Sequence, residues 1–185
     1  RWKYLYKTYI MNRTMGSGNF GTHMVPLVNA VMNTTGDVFE MGSGDYSTPL
    51  LHYILTNQKR NLLTADTDLK WLGLFTYLKN EYHDFKHVKV YDDDWNLNPK
   101  PNKWDEIGNQ KWSVVFIDHR PGERRKVDID RFKNDAEIIV VHDTETSSYD
   151  YESVLSKFKY RFDYRVYKTY TTVVSNFVDV KKLFP

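Results

Sequence analysis

The sequence predicts an α/β fold: a mostly parallel, seven-stranded sheet with helices on both faces and an antiparallel hairpin at its C-terminal end. Two observations carry this. From residue 37 to residue 158, short apolar runs alternate with stretches of helical spacing. Strands apolar throughout belong in a parallel sheet covered on both sides. Beyond them, residues 162–170 and 172–180 are two β-rich runs with almost nothing between them. A parallel crossover needs roughly a dozen residues or more, so this short connection makes a hairpin.

The elements follow in order. Residues 1–20 are basic and aromatic, with Trp2, Tyr4, Tyr6 and Tyr9. Residues 23–32 read as a helix with Pro26 in its first turn, where proline is tolerated. Residues 37–41 form a strand ending at Gly42, and residues 48–55 a helix. A strand at 61–65 and an amphipathic helix at 69–78 come next, then a strand at 88–91. Residues 112–117 form an uncharged strand rich in β-branched and aromatic side chains. A helix at 129–134, an apolar strand at 136–141 and a helix at 151–158 complete the alternating part.

Composition bounds the function. A chain of 185 residues makes one domain with a core of its own. Lys and Arg number 26 against 24 Asp and Glu, a net charge of +2. That balance disfavours nucleic acid and an anionic membrane surface as partners. No apolar run approaches the roughly 20 residues of a membrane span, and a cytoplasmic location is expected. Cysteine is absent, which excludes disulfides, thiolate metal ligands and a cysteine nucleophile. No internal repeat or low-complexity linker is seen. The chain opens on Arg1, which reads as a unit of a larger polypeptide whose other domains are expected partners.

Two glycine-rich segments compete for a ligand. Gly16-Ser17-Gly18-Asn19-Phe20-Gly21 spells GxGxxG, but no apolar strand precedes it, so it reads as a loop leading into the first helix. Residues 40–48, Glu-Met-Gly-Ser-Gly-Asp-Tyr-Ser-Thr, follow a strand and open a helix, as a ligand-cradling turn requires. Gly42 and Gly44, with Ser43 between them, let the backbone turn sharply and approach a ligand. Ser47 or Thr48 can cap the next helix. Glu40 can hold a cationic or hydroxyl-bearing group. Asp66 ends the adjacent strand about 20 residues further on, placed for ribose hydroxyls. Asp68 is expected to cap the helix at Leu69, and Trp71 either flanks the ligand or packs.

Glu40-x-Gly42-x-Gly44 after the first strand, with Asp66 after the second, resembles motif I and its sequel in class I S-adenosylmethionine-dependent methyltransferases. The C-terminal hairpin is similar to that family's reversed last strand, and the resemblance spans about residues 22–180. Ser47 stands where a nicotinamide-binding turn normally has its third glycine. The resemblance implies a Rossmann-like sheet that binds S-adenosylmethionine, with Ser43 and Ser47 in the cofactor turn. Residues 1–21 then form an acceptor-side or docking segment before a single domain. It further implies that Asp92 or Asp93 accepts from the adenine amino group and that Trp95 stacks on the ring. In such enzymes the segment before the first helix folds over the cofactor. His23 would there touch the cofactor carboxylate, approach the acceptor, or merely start the helix.

Methyl transfer to oxygen needs alignment and a destination for the acceptor's proton. Asp118-His119 ends the fourth strand and His142-Asp143 the fifth. Asp118 or His119 would be the general base, with His142 and His23 as further candidates. In a second version Asp118 and Asp143 hold Mg²⁺, a hard cation that takes oxygen ligands and acidifies a hydroxyl, with Thr144 or Glu145 as third ligand. This arrangement resembles catechol-type and macrolide-sugar O-methyltransferases. Asp143 capping the next helix is the structural alternative. The Pro121-Gly122 turn is flanked by Arg120, Arg124 and Arg125. It is similar to a Pro-Gly-Arg stretch of plant polysaccharide O-methyltransferases, and places Arg124 on an oxygen-rich acceptor. A similarity to methyltransferase domains carried by large viral glycosyltransferases implies rhamnose as that acceptor. The expected function is O-methylation of a glycan hydroxyl. The alternatives are a phenol or RNA acceptor, or a non-catalytic partner domain.

Overall fold

The computed structural model describes residues 20–89 and 103–184. Its elements are α1 (Met24–Met32), β1 (Val38–Met41), α2 (Thr48–Asn57), β2 (Leu62–Asp66), α3 (Leu69–Gly73), β3 (His83–His87), β4 (Trp112–Ile117), α4 (Arg125–Phe132), β5 (Ala136–His142), α5 (Glu152–Leu155), β6 (Tyr160–Tyr164) and β7 (Thr171–Ser175). The seven strands lie in the order β3-β2-β1-β4-β5-β7-β6. β1 to β5 are parallel, and β7 runs antiparallel to both β5 and β6. The expected mostly parallel, Rossmann-like sheet with a C-terminal antiparallel pair is therefore what the chain forms.

Alternate residues along the central strands feed two separate cores. Val114 and Phe116 pack with Leu27, Val31 and Leu55 of α1 and α2 on one face. Val115 and Ile117 pack with Ile129 and Phe132 of α4 and Leu155 of α5 on the other. All six residues of β4 are buried, which is why that run carries no charge. Among the described residues, no helix is long and apolar enough to cross a membrane.

Register brings the chemistry together. Ala65, Met41, Ile117 and Val141 are aligned across β2, β1, β4 and β5. The next residue of each strand, Asp66, Gly42, Asp118 and His142, therefore leaves the sheet on one level. Thr171 pairs with His142, so the start of β7 meets that same edge.

Several boundaries differ from the sequence expectation. The third strand is His83–His87, upstream of residues 88–91. It is an edge strand with an alternating, half-exposed pattern, so it offers no apolar run to recognise. Val88 only continues from it through a bond from its amide to the Asp66 carbonyl. The helix expected at 69–78 stops at Gly73 and resumes as a single tight turn, Thr76–Leu78. The helix expected at 129–134 begins at Arg125, and the one expected at 151–158 is only Glu152–Leu155. The β-rich runs shorten to β6 and β7. Residues 1–19 and 90–102 lie outside the described residues, and with them the first four positions of the GxGxxG segment, Asp92, Asp93 and Trp95.

Gly42 and Glu40 show what the first strand's end demands. Gly42 has φ +94°, and a Cβ there would stand 2.7 Å from the backbone carbon and oxygen of Asp118. The chain can turn off β1 across β4 only without a side chain. Glu40 lies fully buried behind this turn. It accepts hydrogen bonds from the hydroxyls of Thr48 (3.0 Å) and Thr64 (2.6 Å), and Thr48 in turn accepts from the Gly44 amide at 2.9 Å. Burial outweighs these bonds and raises the Glu40 carboxyl to about 7.

Gly42→Ala combines an unfavourable φ with a backbone clash and should cost more than about 2 kcal/mol in urea unfolding. Glu40 makes a pH prediction with a definite sign. Its folded pKa is raised, so its contribution is full below the ordinary carboxylate range and is lost as pH rises through about 7. Between pH 5.5 and 8 the wild type should lose on the order of 2 kcal/mol more stability than Glu40→Gln, whose neutral amide does not titrate. Equal losses in the two proteins would show that Glu40 is already ionised in the fold.

Candidate active site

A cleft of about 700 Å³ opens over the carboxyl ends of β1, β2, β4 and β5. Its wall includes His23, Gly42, Ser43, Gly44, Ser47, Asp66, Trp71, Asp118, His119, His142 and Asp143, all expected from the sequence. Glu40 and Arg124 are absent from that wall, and Asp93 lies outside the described residues.

The end of the cleft under β1 and β2 is a backbone cradle. One oxygen of Asp66 accepts from the Ser43 amide (2.7 Å) and hydroxyl (2.9 Å), and the other from the Asp68 amide at 2.9 Å. Three donors on roughly four lone-pair positions leave capacity for a ligand hydroxyl. Trp71 donates its indole N–H to the Ser43 carbonyl at 2.7 Å, so it both pins the glycine turn and faces the cleft. Asp68 caps α3 as expected, accepting from the amides of Lys70 and Trp71. Ser47 occupies the N-cap of α2 without a side-chain capping bond, and the Thr48 hydroxyl is spent on Glu40. Glu40 thus supports the cradle from behind and does not line the cleft.

The end under β4 and β5 is a cluster of imidazoles and carboxylates. Asp118 places one oxygen 2.9 Å from the Arg125 guanidinium and the other 3.2 Å from Nδ1 of His142. Burial would raise the Asp118 pKa, but the charge of Arg125 and the His142 bond overcome it and hold the carboxyl at about 2. Nε2 of His142 lies 2.8 Å from the Thr169 hydroxyl and 3.0 Å from that of Thr22. The His23 ring stands edge-on to His142 at 4.6 Å and tilts against Phe116 at 4.7 Å. His23 is 3% exposed, and neither of its ring nitrogens has a hydrogen-bond partner. Burial, and then the neighbouring His142, lower its pKa to about 3, so it is neutral at physiological pH.

Two sequence assignments change here. Arg124 turns away from the cleft and pairs with Asp128 (2.9 Å) and Asp105 behind β4. His119 belongs to the same network: its Nε2 is 2.9 Å from Asp128 and its ring stacks on Trp104 at 4.4 Å. Arg124 is therefore not placed to meet an acceptor, whereas His119 also lines the cleft and leaves its Nδ1 unpaired. Arg125, which the sequence offers only as one of three arginines flanking the Pro-Gly turn, reaches the cleft where Arg124 does not. Its guanidinium donates to the carbonyls of His119 (2.7 Å) and Asp118 (2.9 Å) and pairs with both Asp118 and Asp143 (3.3 Å). The two carboxylates expected to share Mg²⁺ thus share Arg125 instead. Asp143 has φ +58° and spends its carboxylate on this pair, not on a helix cap. Thr22 and Thr169 were passed over, and only the fold brings them to His142.

No protein-family model and no curated protein matches this sequence. Solved structures do match its fold. A putative O-methyltransferase from Klebsiella pneumoniae aligns with a TM-score of 0.55 and 11% identity, over 86% of this chain and 81% of its own. A TehB-like SAM-dependent methyltransferase from Corynebacterium glutamicum aligns with a TM-score of 0.53 and 11% identity, over 94% of this chain and 96% of its own. The METTL16 MTase domain gives a TM-score of 0.52 and 12% identity over 85% of this chain, which spans 66% of that domain, just under two thirds. At these identities the likeness establishes that the chain shares the methyltransferase fold.

Proposed function

We propose that this chain is an S-adenosylmethionine-dependent O-methyltransferase. The observation that carries the reading is the single cleft with two chemically different ends. A glycine-turn cradle with an acid at the neighbouring strand tip suits an adenosyl cofactor. The His23, Asp118 and His142 cluster, at the same level of the sheet, suits the reacting oxygen. The fold shared with the named methyltransferases supports this assignment.

Gly42 and Gly44 leave room for the cofactor's close approach, Asp66 accepts from its ribose hydroxyls, and Trp71 flanks it. A cofactor held there would present its methyl group to the end of the cleft that Asp118 and His142 line. The acceptor oxygen forms the new C–O bond in line as the C–S bond breaks, and the electron pair of that bond returns to sulfur. The acceptor's proton leaves at the cluster. The acceptor is a sugar hydroxyl. Phe20 and Tyr46 expose aromatic faces at the mouth, beside Asp45 and Arg120, a mixture suited to the apolar face and hydroxyl rim of a sugar ring.

Calorimetry should show S-adenosylmethionine binding in the micromolar range, weakened at least tenfold in Asp66→Ala. His142→Ala should keep cofactor affinity within a few fold yet lower methylation of a deoxyhexose acceptor by roughly a hundredfold or more, read by mass spectrometry. No heat from a folded sample at millimolar cofactor would refute the cofactor assignment. Cofactor binding with methylation of RNA or catechol in place of sugar would refute the acceptor class.

A further inference from the structure

We propose that His23, Asp118 and His142 form a binding site for a divalent first-row transition metal ion, of the Zn²⁺, Mn²⁺ or Fe²⁺ kind, at the acceptor end of the cleft. The proposal deepens the function proposed above and takes its chemistry from that reading, but the site itself rests on four observations.

The first is His23. A buried imidazole with neither nitrogen paired is exceptional, because buried polar atoms almost always find a partner. The orphaned ring lies in the cleft wall beside two other ligand-type side chains, so its missing partner belongs in the cleft.

The second is spacing. One ligand atom from each of the three residues lies within 4.8 Å of the others. His142 Nδ1 and Asp118 Oδ2 are already 3.2 Å apart. Two donors each about 2.1 Å from one ion stand about 3.0 Å apart at an octahedral angle and about 3.4 Å apart at a tetrahedral one. The observed separation falls between these, and His23 would close in from a ligand-atom separation of at most 4.8 Å.

The third is the surrounding support. Metal-bound imidazoles usually donate their other N–H to an oxygen, which fixes tautomer and ring orientation. The hydroxyls of Thr169 and Thr22 stand at the far nitrogen of His142. Asp118 turns its second oxygen to Arg125, which leaves it a single oxygen toward the histidines.

The fourth is donor chemistry. Two imidazoles and one carboxylate suit zinc, iron and manganese, whereas magnesium prefers an all-oxygen octahedron. The all-carboxylate alternative is closed, since Arg125 lies between Asp118 and Asp143. Three protein ligands leave a position open to the cleft. An acceptor hydroxyl there would be acidified, its proton passing to water as the oxygen attacks the methyl carbon and the C–S electron pair returns to sulfur.

The test uses the full chain stripped of metal with a chelator. Co²⁺ added to it should produce visible absorption bands that saturate at one equivalent, and Zn²⁺ should bind calorimetrically with micromolar or tighter affinity. Millimolar Mg²⁺ should displace neither. His23→Ala and Asp118→Asn, each checked for folding by circular dichroism, should weaken binding at least tenfold. Should a variant fail to fold, NMR of the wild type serves in its place: Zn²⁺ should shift the ring protons of His23 and His142 and leave those of His52 and His83. No saturable binding, unchanged affinity in both variants, or unshifted His23 and His142 signals would overturn the site. S-adenosylmethionine binding by the same stripped sample separates the two claims. Cofactor binding without metal binding overturns the metal site alone, and metal binding without cofactor binding overturns the methyltransferase reading while upholding the metal site.

Discussion

The guanidinium of Arg125 is the interaction on which the end of the cleft under β4 and β5 depends. It reaches from the first turn of α4 to the ends of both β4 and β5, bonding to backbone carbonyls and to the carboxylates of Asp118 and Asp143. A lysine could not do this, because one ammonium lacks the planar fork that spans two strands. The arginine is nearly buried, which would be costly if it were unpaired. Two carboxylates meet its charge, and they in turn remain ionised because it is there. Asp118 is thereby held both in charge state and in orientation, with one oxygen fixed on Arg125 and the other turned to His142. The carboxylate that faces His142 in the cleft is thus positioned by a guanidinium anchored on the backbone.

The end under β1 and β2 is organised on another principle. There the constraint is steric and the polar partners are mostly backbone. Gly42 must lack a side chain for β1 to leave the sheet over Asp118, and Asp66 then ties the following amide at Ser43. The Glu40, Thr48 and Thr64 network fixes the turn from beneath. A turn held from three sides is preorganised, so the ordering cost falls on folding and not on ligand binding. The two ends meet where Gly42 passes the Asp118 backbone, and a shift at either is transmitted to the other.

Much of the fold was legible because β1, β2, β4 and β5 are buried on both faces and announce themselves as apolar runs. β3 was misplaced because an edge strand needs only half of such a pattern. The start of α4 was missed for a different reason. Its buried residues are Arg125, Asp128, Ile129 and Phe132, a helical stripe at i, i+3, i+4 and i+7 in which the first two members are charged. A search for apolar periodicity begins such a helix at Ile129. Arg124 faces the acceptor only in the resemblance of its Pro-Gly turn, which carries no information on which arginine the helix start turns to the cleft. The cradle residues were legible because their spacing along the chain is local. Thr22 and Thr169 were not, since 120 and 27 residues separate them from His142: the pairing of β5 with β7 brings in Thr169, and the entry to α1 brings in Thr22.

Adjacent arginines at the start of α4 serve opposite sides of β4, and this explains how two Asp–His pairs so close in sequence acquire different characters. Arg124 joins Asp128 and His119, with Trp104 stacked over an imidazole whose Nδ1 alone is left without a partner. Every strong interaction there is made within the protein, which is the mark of a structural network. Arg125 joins Asp118 and His142, and this second set is left incomplete by the unpaired His23. The pairs of Arg124 and Asp128 tie α4 to the end of β4, while Asp118 and His142 face the cleft. A buried polar group without a partner is tolerated where something from outside supplies one. What sets the second network apart is an imidazole, His23, unpaired at both nitrogens, where His119 in the first is unpaired at one.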